Sequence, residues 1–171
     1  MKKIFAILLA LVAVAAAERP VYNPFASYGL EIGAGKPVND IWKDNRTAFG
    51  EASFIANFQL LPYTSVTADA GYSFPGNGFS AKLGLQQMLL PTGIAPFIGG
   101  MAGIRAIPED DAADTFGDRF GPTVEANAGL FLFRESWVSF RLRGSYQWTI
   151  AKEIHHGFGV SIGILFANSR P

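Results

Sequence analysis

Two adjacent histidines, His155 and His156, are the only histidines in the chain and the first candidates for catalytic chemistry. A serine hydrolase needs a nucleophilic serine, a histidine base and an acid within reach of one another. The stretch HHGF (155–158) contains no serine, and the nearby Thr149 and Glu153 do not complete such a set. We therefore predict no catalytic residues and no enzymatic activity.

The segment PEDDAADTFGD (108–118) concentrates negative charge, with carboxylates at Glu109, Asp110, Asp111, Asp114 and Asp118. A calcium-binding loop places its ligands at alternating positions around a glycine turn, as in D-x-D-x-D-G. The spacing here differs, so we predict neither a metal site nor a bound cofactor and interpret the segment as a solvated acidic loop. Weak contact with divalent cations is the alternative.

A third set of charged residues lies in segments where apolar and polar residues alternate. Its members are Glu31, Glu51, Asp69, Lys82, Arg105, Glu125, Arg141 and Arg143. In VSFRLRGSYQW (138–148), for example, the two arginines alternate with large apolar residues. The set contains four charges of each sign. Such a balance suits a confined interior, because an unpaired buried charge costs several kcal/mol whereas a paired one is tolerated.

The elements that carry these charges are predicted to be β-strands, because the hydrophobic period is two nearly throughout. Eight strands are predicted, at 26–35, 47–60, 65–74, 79–89, 96–106, 122–133, 138–150 and 156–166. Connections after the second, fourth and sixth strands are short, whereas 36–46 and 107–120 are longer. The sequence therefore predicts a single all-β domain at residues 18–171.

The N-terminus has the three-part pattern of a secretory signal peptide. Lys2 and Lys3 precede an apolar stretch at 4–14, and alanines at 15–17 form a cleavage site. We predict a cleavable signal peptide at residues 1–17. Its removal leaves 12 basic and 14 acidic side chains, a net charge of −2. No basic patch appears, so we predict no nucleic-acid partner.

Strands with one apolar and one polar face can close into a soluble barrel or a membrane barrel. The polar faces here are rich in small residues that fit inside a narrow eight-stranded barrel, and only 16% of all residues are charged. Aromatic residues gather at both strand ends, as in the girdles of membrane barrels. One predicted girdle is Phe58, Phe133, Trp137 and Phe166, and the other is Phe74, Phe79, Tyr146 and Trp148. These features favour an eight-stranded antiparallel up-and-down transmembrane β-barrel.

This pattern resembles the small eight-stranded outer-membrane barrels, the group of the OmpA transmembrane domain and OmpX. The likeness rests on the architecture, the charged lumen and the last strand, HGFGVSIGILF (156–166), which ANSRP (167–171) follows. That strand is similar to the C-terminal signal read by the barrel-assembly machinery.

The resemblance implies location in the bacterial outer membrane, in contact with its lipid and lipopolysaccharide, and a structural, envelope-integrity or surface-interaction role. It also implies a closed, charged lumen with at most small-ion conductance, since the interior of an eight-stranded barrel is filled by side chains and excludes a porin-like pore. Loops 36–46 and 107–120 are then candidates to contact an extracellular ligand. The alternatives are an outer-membrane lipid-modifying enzyme and a soluble, lipocalin-like binding barrel.

Overall fold

The computed structural model describes residues 26–38, 48–90, 92–108, 116–152 and 154–168. The predicted signal peptide at 1–17 lies outside these ranges, as do residues 39–47 and 109–115 of the two longer loops. Within the described ranges, no helix has the length and apolar character needed to span a bilayer.

Eight antiparallel strands form one closed sheet, in which each strand pairs with the next and the last pairs with the first. The strands are β1 (Ala26–Pro37), β2 (Phe49–Leu61), β3 (Thr64–Phe74), β4 (Gly78–Met88), β5 (Ile94–Ala106), β6 (Phe120–Leu132), β7 (Val138–Ile150) and β8 (Ile154–Ala167). The predicted number of strands and the up-and-down order are confirmed. The predicted strand ends differ from the observed ones by at most two residues.

The two ends of the barrel differ in their connections. We call the end that holds the start of β1, the end of β8 and the turns after β2, β4 and β6 the terminal end. The opposite end, which holds the connections after β1, β3, β5 and β7, is the loop end. A short helical turn at Phe116–Arg119 leads into β6 at the loop end.

The outer wall is apolar and the inside is largely polar. On β1, Leu30 and Ile32 are 67% and 64% exposed, whereas Glu31 between them is 1% exposed. The same alternation runs around the barrel, with Val124 exposed beside buried Glu125 on β6. Because successive side chains of a strand point to opposite faces, this pattern places the apolar side outside. A water-soluble barrel would have the reverse arrangement.

Glycines make room inside the barrel where large side chains cross it. A Cβ atom at Gly163 would collide with Cγ of Glu31 and lie 3.0 Å from the carbonyl oxygen of Leu30. A Cβ atom at Gly35 would collide with the ring of Phe49. These small residues on β8 and β1 let longer inward side chains fill the lumen.

An apolar layer crosses the lumen toward the terminal end, among buried polar side chains such as Gln86 and Ser139. An apolar cluster is formed there by Ile55, Met88, Ala95, Phe97, Phe131 and Leu165. The Phe97 and Phe131 rings lie 5.1 Å apart between centroids. The alternating pattern predicted inner faces dominated by small polar residues, and these six apolar side chains stand beside such residues on the inside. A narrow interior must be filled, and apolar side chains fill it without needing hydrogen-bond partners.

Candidate functional site

Six charged side chains meet in the middle of the lumen, and we call them the charge cluster. Its members are Glu31, Asp69, Lys82, Glu125, Arg141 and Arg143. They come from five strands and occupy inward positions in the alternating pattern, where each is at most 5% exposed. The strand register sets Asp69 on β3 directly opposite Lys82 on β4. The cluster therefore follows from strand parity and register.

Arg143 is the central cation of the cluster. Its Nη2 atom lies 2.9 Å from Oε2 of Glu31, and its Nη1 atom lies 2.8 Å from Oδ2 of Asp69. The same Nη1 atom is 3.4 Å from Oε1 of Glu125. One guanidinium thus contacts three carboxylates on three strands. The planar fork of an arginine suits such shared contacts better than the point charge of a lysine.

Two further cations complete the cluster. Nζ of Lys82 lies 2.7 Å from Oε2 of Glu125 and 3.9 Å from Oδ2 of Asp69. Nη1 of Arg141 lies 3.0 Å from Oε1 of Glu31. Three positive charges therefore face three negative ones, and every carboxylate of the cluster contacts a cation. This balance offsets the cost of removing the charges from water.

Neutral polar side chains tie the ion pairs together. The Ser161 hydroxyl donates a hydrogen bond of 2.8 Å to Oε2 of Glu31 and accepts one of 3.3 Å from Nε of Arg143. Nδ2 of Asn127 donates to Oε1 of Glu125 at 3.1 Å. The hydrogen bonds link β1, β7 and β8 inside the lumen, while Oδ1 of Asp69 and Nε of Arg141 make no hydrogen bond to described residues. The arrangement therefore fills the lumen and connects strands across it.

Arg141 joins the charge cluster to the apolar cluster. Its Cζ atom lies 5.1 Å from the ring centroid of Phe97 and 5.6 Å from that of Phe131. An arginine over an aromatic face gains a favourable cation–π interaction. The two layers of the lumen therefore contact each other directly at this residue, which is 1% exposed.

Glu51 and Arg105, which the sequence grouped with the other six, lie apart from the cluster toward the loop end. Among the described residues, neither makes an ion pair with a cluster member or with the other. Glu51 is half-buried and Arg105 is buried. Nη1 of Arg105 donates a hydrogen bond of 2.8 Å to Oε1 of Gln147. The structure thus brings six of the eight predicted lumen charges together.

The eight aromatic residues predicted as girdles lie on the outer wall or on its turns. At the terminal end, Phe58, Phe133, Trp137 and Phe166 are exposed. At the loop end the four are Phe74, Phe79, Tyr146 and Trp148, of which Phe79 and Tyr146 are half-buried. Tyr146 packs edge-on against Trp148 and Phe158, with centroids 4.4 Å and 4.5 Å away. The structure therefore places these eight aromatic residues in two groups of four, one at each end of the barrel.

Solved structures share this architecture at low sequence identity. The N-terminal β-barrel domain of Pseudomonas aeruginosa OprF is 12% identical, with a TM-score of 0.60 over 84% of this chain and 100% of that chain. Neisserial surface protein A is 8% identical, with a TM-score of 0.61 over 82% and 96%. A de novo designed transmembrane β-barrel is 16% identical, with a TM-score of 0.52 over 87% and 99%. No protein-family model and no curated protein matches the sequence.

The chain has the fold of the small eight-stranded outer-membrane β-barrels. The architecture implied by the sequence resemblance is therefore confirmed. At these identities the likeness concerns the fold alone, and a function must be argued from side chains.

The histidines of this outer-membrane-type barrel lie at the loop end. Nδ1 of His156 is 2.6 Å from the Tyr146 hydroxyl, and both histidines are half-buried. Glu153 and the carboxylates at 109–114 lie outside the described residues, whereas Asp118 pairs with Lys152 at 3.6 Å. In the part of the chain that the structure describes, no three histidine or acidic residues are grouped to hold a metal ion.

Sequence reasoning missed Arg134, which is buried at the terminal end of the barrel. It lies in the turn between β6 and β7 yet is only 7% exposed, and its Nη2 donates to Oε1 of Gln59 at 2.7 Å. Burial lowers the pKa of Arg134, and the charge of Glu135 opposes that effect. A polar residue in a turn gives no periodic signal, so the pattern of alternation could not reveal this inward side chain.

Proposed function

We propose that the protein is an integral outer-membrane β-barrel with a structural, envelope-integrity or surface-interaction role. The observation that carries the proposal is the sidedness of the wall, which exposes large apolar side chains and buries polar ones. Strands of 11 to 14 residues are also long enough, since a tilted membrane strand needs about 9–11. A lipocalin-like soluble barrel would need the opposite sidedness.

In the proposed orientation, the terminal end faces the periplasm and the loop end faces the exterior. Short turns at the periplasmic side and longer loops outside are the rule for such barrels. The predicted signal peptide supplies export, and β8 with its exposed Ile164 and Phe166 is the proposed signal for the barrel-assembly machinery. The apolar wall contacts lipid, and the two aromatic groups lie at the headgroup levels, where lipopolysaccharide is the outer partner.

The lumen is proposed to be closed, with at most a small conductance for ions. Two layers lie in series along it, the charge cluster in the middle and the apolar cluster at the terminal end. Opening the ion pairs would leave the apolar layer in place, with Phe97 1% exposed and Ile55 fully buried. This arrangement supports a structural role for the charge cluster rather than the gating of a channel.

Cell fractionation tests the proposed location. The full chain is expressed in a Gram-negative host, and membranes are separated from the soluble periplasmic fraction. We expect the protein in the outer-membrane fraction, released only by detergent and migrating faster on gels before heating than after. Recovery of the folded protein in the soluble fraction without detergent would contradict the proposal. A soluble periplasmic enzyme serves as the control for fractionation.

Planar-bilayer recordings test the proposed closure. We expect only small or absent currents for the wild-type barrel. We expect no increase in current for Arg141→Ala, because the apolar cluster around Phe97 still fills the lumen. The matched double variant Phe97→Ala with Phe131→Ala removes two rings from the apolar cluster and keeps the ion pairs of the charge cluster. A large current through the wild type, or a larger current caused by Arg141→Ala alone, would refute the proposal that the apolar cluster closes the lumen behind the charge cluster.

A further inference from the structure

A hollow lies on the outer wall of the barrel between β2 and β5, and we call it the wall hollow. Its volume is about 520 Å³. Its lining includes three large apolar side chains and several alanines, among them Phe54, Leu83 and Ile104 with Ala68, Ala70 and Ala81. The charged side chains of Asp69 and Lys82, in the same part of the wall, point into the lumen and are fully buried. The surface of the wall hollow is therefore apolar.

The wall hollow follows from the strand register. Ala70 on β3 pairs with Ala81 on β4, so two small side chains adjoin on the outer face. The next residues in the same row are larger, Phe54 on β2 and Ile104 on β5. On β1 the row continues with the exposed Leu30. The wall is therefore indented at β3 and β4 between larger side chains on β2 and β5.

The wall hollow lies nearer to the loop end of the barrel than to the terminal end. Ala81 is three residues from the loop end of β4 and seven from its other end, and Ile104 is two and ten residues from the ends of β5. From Tyr72, on the loop-end side of the hollow, to Ala68 within it, β3 advances by about 14 Å. At a strand tilt of about 40° this is about 10 Å along the membrane normal, within the roughly 15 Å of hydrocarbon in one leaflet. In the proposed orientation the hollow therefore faces the outer leaflet.

The size of the wall hollow decides between a second protein and a lipid chain. It is about 14 Å wide from β2 to β5 and about 14 Å long on β3, so it covers about 200 Å² of the wall. A stable interface between two proteins buries about 800 Å² on each partner. The volume of about 520 Å³, by contrast, is within the range of about 300–1,000 Å³ for sites of small ligands. The hollow therefore fits a single apolar chain rather than a second barrel.

A polar pair marks the loop-end side of the wall hollow. The Tyr72 hydroxyl donates a hydrogen bond to Oδ1 of Asn77, and both residues are exposed. Tyr72 pairs across the strands with Phe79, which belongs to the aromatic group at the loop end. Aromatic residues with a polar tip favour the head-group level of a bilayer. The hollow thus has a polar edge toward the head groups and an apolar surface below it, as an amphipathic lipid requires.

We propose that the wall hollow seats an acyl chain of lipopolysaccharide, with the lipid head group beside Tyr72 and Asn77. This rests on the proposed function, which puts the wall in the outer membrane with the loop end outside. Small residues on a lipid-facing surface let a neighbour approach the backbone closely, so the chain gains packing contacts that the wall of larger side chains does not offer. The lipid is held by the shape of the wall.

Native mass spectrometry tests the proposal. The full barrel, folded in detergent, is titrated with purified lipopolysaccharide of the deep-rough type, and the bound molecules are counted. We expect the wild type to retain one lipopolysaccharide and to retain phosphatidylglycerol less well. Retention of no lipopolysaccharide, or equal retention of phosphatidylglycerol, overturns the proposal. Dimers of the barrel that persist without lipid would overturn it in favour of a contact between copies, if filling the hollow abolished them.

Two double variants separate the wall hollow from general contact with the wall. Ala70→Leu with Ala81→Leu fills the hollow, and we expect binding at least about tenfold weaker, since a single methylene group in an apolar site changes affinity by about tenfold or more. Ala34→Leu with Ala128→Leu makes the same substitutions at exposed positions outside the hollow and should bind as the wild type does. Equal binding by the two double variants overturns the site.

Failure of this proposal is distinguishable from failure of the proposed function. If the proposal alone fails, each barrel still needs detergent and still migrates faster on gels before heating than after, which also verifies that the variants are folded. If the proposed function fails, the folded protein stays soluble without detergent, and the proposal fails with it.

Discussion

Replacing Arg143 by methionine tests whether the charge cluster stabilises the barrel. Methionine replaces the aliphatic part of the arginine side chain but carries no guanidinium, so Arg143→Met leaves three carboxylates with two cations. The close pairs Lys82–Glu125 at 2.7 Å and Arg141–Glu31 at 3.0 Å would remain. Asp69 would lose its nearest cation at 2.8 Å and keep only Lys82 at 3.9 Å. The variant therefore isolates the cost of one poorly compensated buried carboxylate.

The magnitude follows from the cost of leaving a buried charge without its partner. Breaking a buried ion pair by removing one member costs about 3–5 kcal/mol. The remaining contact between Asp69 and Lys82, at 3.9 Å, offsets part of that cost. We therefore expect the free energy of unfolding to fall by about 3–4 kcal/mol.

The assay is equilibrium urea unfolding of barrels inserted in lipid vesicles, followed by fluorescence of the three tryptophans. The matched control is the double variant Asp69→Asn with Arg143→Met, which leaves two balanced pairs and should recover at least half of the lost stability. The reasoning is refuted if the single variant loses less than about 1 kcal/mol, the value of an exposed pair. It is also refuted if the double variant is no more stable than the single one.

Three further predictions use the same unfolding assay. Ile32→Arg puts a charge on the lipid-facing wall and should cost about 2–4 kcal/mol in vesicles, and an unchanged stability would argue against lipid contact there. Gly163→Ala should destabilise the barrel by displacing Glu31, whereas Gly100→Ala, whose Cβ would lie 3.7 Å from the nearest atom, should be tolerated. Equal effects of the two would contradict the close approach. Phe97→Ala should cost about 3–5 kcal/mol, and a loss below about 1 kcal/mol would mean that the apolar layer is loosely packed.

The number of strands, their order and the face of each that points outward were predictable, because every strand must present apolar side chains on its outer face. An apolar side chain every second residue specifies both the strand and its outward face, and small residues between them specify a narrow interior. The inward charges Glu31, Asp69 and Arg143 follow from the same parity. Alternation is a local signal, so one sequence was sufficient to reveal it.

Contacts across the lumen were not predictable, because they depend on relative strand heights. Glu51 and Arg105 have the same parity as the cluster members, yet they lie too near the loop end to join it. Phe97 and Leu165 occupy inward positions, where the alternating pattern predicts polar residues. Apolar side chains fit there too, because they fill the interior without needing hydrogen-bond partners. Arg134 reaches inward from a turn, where no period applies.

The position of Glu31 has a consequence for how the barrel closes. This residue belongs to the first strand, but its contacts are with Arg141 and Arg143 on β7 and with Ser161, 130 residues away on β8. Its charge is therefore neutralised only after the first and last strands have met. A strand from another chain that replaced β1 at that seam would leave Arg141 without its carboxylate and Arg143 without one of its three, unless it carried an acid at the same height. We therefore expect the seam to favour its own first strand over a strand that lacks this acid.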